Sequence, residues 1–341
     1  MKQACLEFIA KLPKAELHVH LEGTLDPESF LAIAHRNNIK LTFNTVEQVK
    51  SQLYTFHDLA SFIEVYRQAI AVLKTEQDFY DLTLAYLKKA VDQGVVHAEI
   101  FFDLQSYTHH TVSAATIMNG VGKALAEAYE TYGITTWMIM CFIRDMSEED
   151  ALQVLEIIRP YKEVIAIGLA SVEAGYPPAK FERAFSKARE YGYHIVCHAG
   201  EEAGPEYIWQ ALHLLKAERI DHGIACMQDA QLVDYLVTHK IPLTVCPLSN
   251  VALHRFTSMN EHSIKKMYDA GLMVTINSDD PAFFNGYIDD NYKAVAKNLG
   301  FTCGQLAQCA LNSIHASFIN DDLKKKYIKK LDEYIMTHTC Q

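Results

Sequence analysis

Val164-Ile165-Ala166-Ile167-Gly168-Leu169-Ala170 is an unbroken apolar run about as long as one β-strand. A run of this length without polar alternation predicts a strand that is covered on both faces, which is typical of parallel sheets. The stretches IPLTVCPL (residues 241–248) and LMVTINS (residues 272–278) have the same character. The sequence therefore predicts an α/β protein with a buried parallel sheet.

Outward from this run, short apolar segments alternate with longer stretches of helical spacing. The predicted strands are Ala15–Leu21, Val95–Leu104, Ile134–Asp145, Val164–Ser171, His194–Ala199, Arg219–Ile224, Ile241–Leu248 and Met273–Ser278. Helices are predicted at Pro178–Tyr191, Glu206–Lys216 and Asp229–His239. This alternation predicts a (β/α)8 TIM barrel, a single domain over residues 1–341. A doubly wound open sheet is the alternative, but no GxGxxG turn follows the first strand.

The connection between the first two predicted strands is unusually long, running from residue 22 to residue 94. Within it, apolar residues recur at steps of three or four and predict one apolar helical face. These residues are Phe56, Leu59, Ile63, Tyr66, Ile70 and Leu73. We expect a helical insertion that covers the barrel mouth, either for packing alone or as a lid over an active site.

Composition narrows the classes of partner. The chain has 31 Lys and Arg against 42 Asp and Glu, a net charge of −11, so we expect no nucleic acid partner. No apolar run is long enough to cross a bilayer, and Glu7 and Lys11 interrupt the apolar residues of the N-terminus. The scattered cysteines form no CxxC pair, and we expect them to be reduced in a cytoplasmic protein without membrane association. A small molecule is the expected partner, and the oligomeric state stays open.

Polar residues gather at the C-terminal ends of four predicted strands. They are His18-Val19-His20, His198-Ala199-Gly200-Glu201, Asp221-His222-Gly223 and Asn277-Ser278-Asp279-Asp280-Pro281. The period of two in a strand places both imidazoles of the first group on one face, where they can bind one metal ion. Each group alone could be an ordinary turn, helix cap or surface pair. Together they predict an active site, because barrel enzymes build theirs at these strand ends.

The residue types indicate the metal. Three imidazoles and one carboxylate, with a position left for water, suit zinc better than magnesium or calcium. Iron, cobalt or manganese could occupy the same ligands. Some barrel hydrolases bridge two metals with a modified lysine on strand four, but residues 164–170 contain no lysine. We therefore expect one metal ion per chain.

Five motifs resemble those of the adenosine/adenine deaminase family. They are HVHLEG (residues 18–23), HAGE (198–201), DHG (221–223), CPLSN (246–250) and SDDP (278–281). The intervals from His198 to Glu201, His222 and Asp279 are 3, 24 and 81 residues, which match the family's spacing. The resemblance covers essentially the whole chain and is nearest to the bacterial and fungal adenine deaminases, which share the HLEG motif.

The resemblance implies a site and a reaction. One zinc ion would be bound by His18, His20, His198 and Asp279, and it would lower the pKa of a water molecule. His222 would orient and deprotonate this water with help from Asp279, while Glu201 would protonate N1 of the purine. Asp280 would hydrogen-bond to N7, and Glu22 and Ser171 would also contact the substrate. The implied reaction is hydrolytic deamination of adenine to hypoxanthine and ammonia.

Two positions bear on the choice of purine. Adenosine deaminases usually carry Asp at the position of Glu22, where it contacts the ribose, so Glu22 favours adenine. Ala170 stands where the family pattern predicts Asp, and it makes this edge of the pocket more apolar. Adenosine or a modified adenine is therefore the alternative substrate. A catalytically silent purine-binding protein is a further alternative, but such a protein should have lost a ligand or Glu201, and neither is missing.

Overall fold

Eight parallel strands follow one another in chain order in a single sheet. They are seen in a computed structural model that describes residues 3–110 and 112–338. The strands are β1 (Lys14–His20), β2 (Val95–Phe102), β3 (Thr135–Ile143), β4 (Val164–Ala170), β5 (His194–Ala199), β6 (Arg219–His222), β7 (Leu243–Val245) and β8 (Val274–Ile276). Each strand pairs in parallel with the next.

The sheet closes where the first strand meets the residues that follow the last one. Val19 and Asp279 form a parallel bridge. The backbone N–H of His20 donates to the carbonyl of Asp279 over 2.9 Å, and the N–H of Asp279 donates to the carbonyl of His18 over 3.0 Å. The predicted (β/α)8 barrel is confirmed, and its seam joins three of the predicted metal ligands.

Helices surround the barrel and fill the connections. They are α1 (Gln3–Ala10), α2 (Pro27–Arg36), α3 (Val46–Gln48), α4 (Leu59–Ile70), α5 (Glu76–Asp92), α6 (Ala114–Tyr132), α7 (Glu148–Ile158), α8 (Glu182–Glu190), α9 (Pro205–Gln210), α10 (Ala230–His239), α11 (Pro247–Ala252), α12 (Ile264–Asp269), α13 (Ile288–Leu299), α14 (Cys303–Ala316) and α15 (Asp321–Thr337). Strand β2 is buried at every position, as the continuous apolar runs predicted. The core therefore lies on both sides of the strands.

The predicted insertion between strands 1 and 2 is confirmed and contains helices α2 to α5. The apolar face was predicted to extend from Phe56 to Leu73, but α4 is shorter because a capping box at Asp58 begins the helix. The ring of Phe62 packs against Phe283 and Phe284, with centroids 5.5 and 4.8 Å apart. The insertion thus packs against the loop that follows β8.

Several predicted strands were too long at their C-terminal ends. Strand β6 ends at His222, whose φ of 61° takes it out of the extended conformation. Strand β7 ends at Val245, because Pro247 begins helix α11. Functional candidates at these ends therefore stand on turns directly after the strands.

The cysteines only partly match their expectation. Cys5, Cys141, Cys197, Cys226, Cys246 and Cys309 are free. Cys303 is disulfide-bonded, so the prediction of reduced cysteines is wrong for that residue, and Cys340 lies outside the described residues. Among the residues that the structure describes, no helix is long and apolar enough to cross a membrane. The single domain over residues 1–341 stays a prediction.

Candidate active site

A cavity lies at the carboxyl ends of the strands, where barrel active sites are found. Seven of the residues predicted for the site line it: His20, Ser171, His198, Glu201, His222, Asp279 and Asp280. Its other walls include Leu59, Phe62, Ile63, Tyr66 and Arg67 of helix α4. The inserted helix therefore forms one side of the cavity, in the position expected of a lid.

The four predicted metal ligands converge at one side of this cavity. The Nε2 atoms of His18 and His20 each lie 3.4 Å from Oδ1 of Asp279. Nε2 of His20 lies 3.2 Å from Nε2 of His198. His18 is fully buried, and Asp279 and His198 are 4% and 6% exposed.

These separations fit a zinc ion. In a tetrahedron with metal–nitrogen distances of about 2.0–2.1 Å, neighbouring donor atoms lie about 3.3 Å apart. Nε2 of His18 is buried and has no hydrogen-bond partner among the described residues, as expected of a donor that binds a metal. Burial lowers the pKa of His20 to about 3, which keeps this imidazole neutral. The donor set therefore suits zinc in both chemistry and spacing.

Asp221 and Thr244 orient two of these imidazoles from behind. The Thr244 hydroxyl donates to Oδ1 of Asp221 over 2.8 Å, so its oxygen accepts from Nδ1 of His18 over 2.9 Å. Oδ2 of Asp221 lies 3.4 Å from Nδ1 of His198. With a proton on each Nδ1, both rings turn an unprotonated Nε2 toward the proposed metal position.

Glu201 and His222 stand beside the ligands. Nε2 of His222 lies 3.5 Å from Oε2 of Glu201 and 3.7 Å from Oδ2 of Asp279. Burial, followed by the charges of Asp279 and Glu173, raises the pKa of Glu201 well above its usual range. Burial also lowers the pKa of His222 well below its usual range. These shifts favour a protonated carboxyl group at Glu201 and a neutral imidazole at His222, which lie beside each other in the cavity.

The loop that carries Glu201 is fixed by a second carboxylate. Glu173 is 1% exposed and accepts four backbone N–H groups. They belong to Gly200, Glu201, Glu202 and Ala203, at 2.7, 2.9, 2.7 and 3.0 Å. Because one side chain satisfies consecutive donors, the backbone at Glu201 is held rigidly.

The backbone conformation of the site is unusual. His222 and Asp279 have φ values of 61° and 66°, in the left-handed region, where non-glycine residues cost on the order of 1–3 kcal/mol each. Gly23 packs so closely on Asp280 that a Cβ at Gly23 would lie 2.7 Å from Cα of Asp280. These features turn polar side chains out of the strands and into the cavity.

The three residues predicted to contact the substrate, Ser171, Glu22 and Asp280, differ in their surroundings. Ser171 lines the cavity, and its hydroxyl donates to Asp145 over 2.8 Å. Glu22 is fully buried, and neither of its carboxyl oxygens has a hydrogen-bond partner in the described part of the chain. Burial, followed by the charge of Asp103, raises its pKa well above the usual range. Asp280 lines the cavity, and burial followed by the charge of Asp279 likewise raises its pKa.

Sequence reasoning missed several residues of this site. Asp103, Ser106 and Arg67 also line the cavity. Asp103 directly follows β2 and its carboxylate accepts the N–H of Ser106 over 2.7 Å, so the rule of polar residues at strand ends could have found it. Arg67 lies on the inserted helix, where an exposed arginine gives no comparable signal.

Comparison with known proteins agrees with the fold. The chain matches the adenosine deaminase family over residues 13–334. It is 48% identical to the adenine deaminase of Acinetobacter baylyi, over 96% of this chain and 98% of that protein. The crystal structure of an adenine deaminase from Arthrobacter aurescens aligns with a TM-score of 0.93 and 46% identity, over 95% of this chain and 99% of that one. A zinc-bound amidohydrolase of Burkholderia ambifaria shares the fold, with a TM-score of 0.90 at 24% identity over 99% and 95% of the two chains. The chain belongs to the adenosine deaminase family.

Proposed function

We propose that this protein is an adenine deaminase, which converts adenine and water to hypoxanthine and ammonia. The observation that carries the proposal is one cavity with a metal-binding set beside two buried carboxyl groups of raised pKa, Glu201 and Asp280. The relatives from Acinetobacter and Arthrobacter, which bear this name, align over nearly their whole length. Adenine presents ring nitrogens that such acids can recognise.

The cofactor in this proposal is one zinc ion per chain, bound by His18, His20, His198 and Asp279. The spacing of the donor atoms and the unpartnered Nε2 of His18 support zinc. When bound, zinc would supply a Lewis acid that lowers the pKa of a water molecule. The neighbouring residues would then bind the purine and move its protons.

Glu201 would supply the proton for N1 of the ring. Its raised pKa favours the protonated form of the carboxyl group, and protonation at N1 makes C6 more electrophilic. General acid catalysis of this kind contributes about 10²–10⁴-fold to the rate. Glu173 would keep the acid in place through the backbone of the loop.

Asp280 and Glu22 would recognise the purine. Because the raised pKa of Asp280 favours its protonated form, it would donate a hydrogen bond to N7. Glu22 has two buried oxygens without partners in the described residues, and an N–H of the imidazole ring of adenine would satisfy one of them. A nucleoside lacks that N–H, so its entry would leave a buried polar group unsatisfied. Ser171 would contact the substrate from the opposite wall.

The wider setting of the proposal is a cytoplasmic enzyme that acts on a small molecule. The net charge of −11 disfavours nucleic acid as a partner. Free cysteines in the buried core, such as Cys141 and Cys197, are compatible with a reducing compartment.

An ammonia-release assay on the purified protein tests the proposal. We expect kcat/KM to be far higher for adenine than for adenosine or N6-modified adenines, with hypoxanthine formed in equal amount to ammonia. Equal or higher efficiency with adenosine would overturn the choice of adenine. No ammonia from any aminopurine with the zinc-loaded protein would overturn the enzymatic proposal itself.

A further inference from the structure

A line of hydrogen bonds connects the start of helix α12 to the ring of His222. The backbone N–H of Ile264 donates to Nδ1 of His262 over 3.0 Å. Nε2 of His262 lies 3.1 Å from Oδ1 of Asn250, and Nδ2 of Asn250 lies 3.3 Å from Nδ1 of His222. The three side chains are between 0% and 3% exposed, so bulk water does not compete for these bonds.

The first donor of the line determines where every proton lies. A backbone amide can only donate, so Nδ1 of His262 accepts. Burial lowers the pKa of His262 to about 3, so this ring is neutral and carries its one proton on Nε2. That proton is donated to the carbonyl oxygen of Asn250. The amide nitrogen of Asn250 then faces His222, and because it can only donate, Nδ1 of His222 accepts.

From this hydrogen-bond geometry we infer that Asn250 and His262 are positioning residues that fix the ring of His222 with Nδ1 as an acceptor and a proton on Nε2. The inference deepens the proposed function and rests on it for the meaning of His222, although the hydrogen bonds themselves lie outside the metal ligands. The surroundings of Nε2 agree, because it faces oxygens of Glu201 and Asp279 at 3.5 and 3.7 Å. The other tautomer would direct a lone pair at the ionised carboxylate of Asp279.

This tautomer changes the task of His222. Its Nε2 has no lone pair with which to deprotonate the attacking water, as the family resemblance had implied. Instead, its N–H donates to the oxygen of the water, orients it, and stabilises the negative charge that develops there. The proton lost by the water goes to Glu201, whose own proton has passed to N1. An O–H bond breaks while the C6–O bond forms, and the charges balance.

The tautomer can be observed directly by NMR of the purified protein labelled with ¹⁵N-histidine. We expect Nε2 of His222 to be protonated and Nδ1 to be unprotonated. The variant Asn250→Asp replaces the amide donor with an oxygen of nearly the same size, so the proton should move to Nδ1 of the ring. A wild-type His222 that carries its proton on Nδ1 overturns the inference, whatever the enzyme does to adenine.

Kinetics give a second readout. We expect Asn250→Asp and His262→Leu to lower kcat by about 10²-fold, the contribution of one hydrogen-bond donor to a developing negative charge, with KM and zinc content little changed. His262→Gln retains an N–H near the position of Nε2 and should rescue much of kcat. Wild-type kcat in both disruptive variants would overturn the inference.

A matched control separates this effect from the general cost of altering a buried amide. Asn291 on α13 is fully buried and is bonded to the backbones of Leu248 and Tyr287. Asn291→Asp should leave the ¹⁵N signals of His222 unchanged. A shift as large as that in Asn250→Asp would overturn the specific role of Asn250. Failure of the proposed function would appear separately, as wild-type protein that releases no ammonia from adenine.

Discussion

Asp279 and Asp280 are neighbours in the chain and both line the cavity, yet the pKa values of their carboxyl groups are shifted in opposite directions. Burial would raise the pKa of Asp279, but His18 and the other nearby imidazoles lower it well below its usual range. Burial and the charge of Asp279 raise the pKa of Asp280 well above its usual range. One carboxyl group is therefore prepared to bind a cation, and the next is prepared to donate a proton.

The same contrast extends to the groups behind them. One side of the cavity, called the metal side here, holds the proposed metal ligands. There, Thr244 and Asp221 face the Nδ1 atoms of His18 and His198. The purine side consists of the carboxyl groups proposed to contact the purine, those of Glu22, Glu201 and Asp280. Oxygens of these three groups have no hydrogen-bond partners within residues 3–110 and 112–338. A pair of titratable groups whose pKa values are pushed apart marks distinct chemical roles. The unpartnered Nε2 of His18 is available to a metal ion, and the unpartnered oxygens on the purine side are available to a substrate.

The largest expected effect comes from removing a ligand on the metal side. His198→Ala should abolish most zinc binding and lower activity by more than about 10³-fold, because metal catalysis is worth several kcal/mol. Elemental analysis and ammonia release measure the two losses together. His239→Ala, at an exposed position on α10, is the control and should change neither. Two zinc ions per wild-type chain, or full activity after zinc removal, would contradict the assignment.

Glu201→Gln should remove the proton donor of the purine side without changing the proposed metal ligands. Turnover should fall by about 10²–10⁴-fold because the amide cannot deliver a proton, and zinc content should stay the same. The raised pKa of Glu201 also predicts that activity is present below that pKa and is lost as the pH rises through it. Glu202→Gln is the matched control and should change kcat only a few-fold. Loss of zinc from Glu201→Gln would show that the two sides are not separate.

Asp221→Asn tests the support behind the metal ligands. Because Asp221 faces His198 directly and His18 through Thr244, its loss should weaken zinc affinity by about 10–100-fold. Competition with a chelator measures this change. Activity at saturating zinc should fall much less. Unchanged affinity would show that the ligands are oriented without this carboxylate.

Glu22→Asp is expected to have the smallest effect, confined to substrate choice. Shortening the side chain by one methylene should reduce the preference for adenine over adenosine by about tenfold, the size of a one-methylene difference in a pocket. The ratio of kcat/KM for the two substrates measures it, with zinc content as the internal control. An unchanged ratio would remove Glu22 from the recognition of the imidazole edge.

Sequence patterns predicted the positions of the residues on the metal side better than those on the purine side. His18 and His20 could be predicted to share a face because a strand has a period of two, and β1 contains both. The exact end of β6 could not be predicted, because His222 leaves the extended conformation there, and neither could the turn at Asp279 after the end of β8. Apolar runs predict where a strand is buried, but not where its backbone turns.

The purine side depends on residues far apart in the chain. Arg67 reaches the cavity only because α4 folds across the mouth, and its Nη2 lies 3.0 Å from Asp145. The link from Asn250 to His262 likewise depends on the packing of the segment after α11. No periodicity in a single sequence encodes such pairings, since each partner alone has an ordinary structural explanation.

The seam between β1 and Asp279 has a consequence for how the protein is made. His18 and His20 lie near the start of the chain, and Asp279 lies close to its end, yet backbone hydrogen bonds join them. Because a ribosome synthesises the N-terminus first, a nascent chain that stops before β8 holds the imidazoles without the carboxylate and without a closed barrel. The proposed zinc site can be completed only when the last strand arrives. Metal loading would then follow closure of the barrel, and the bound ion would fasten the first strand to the last.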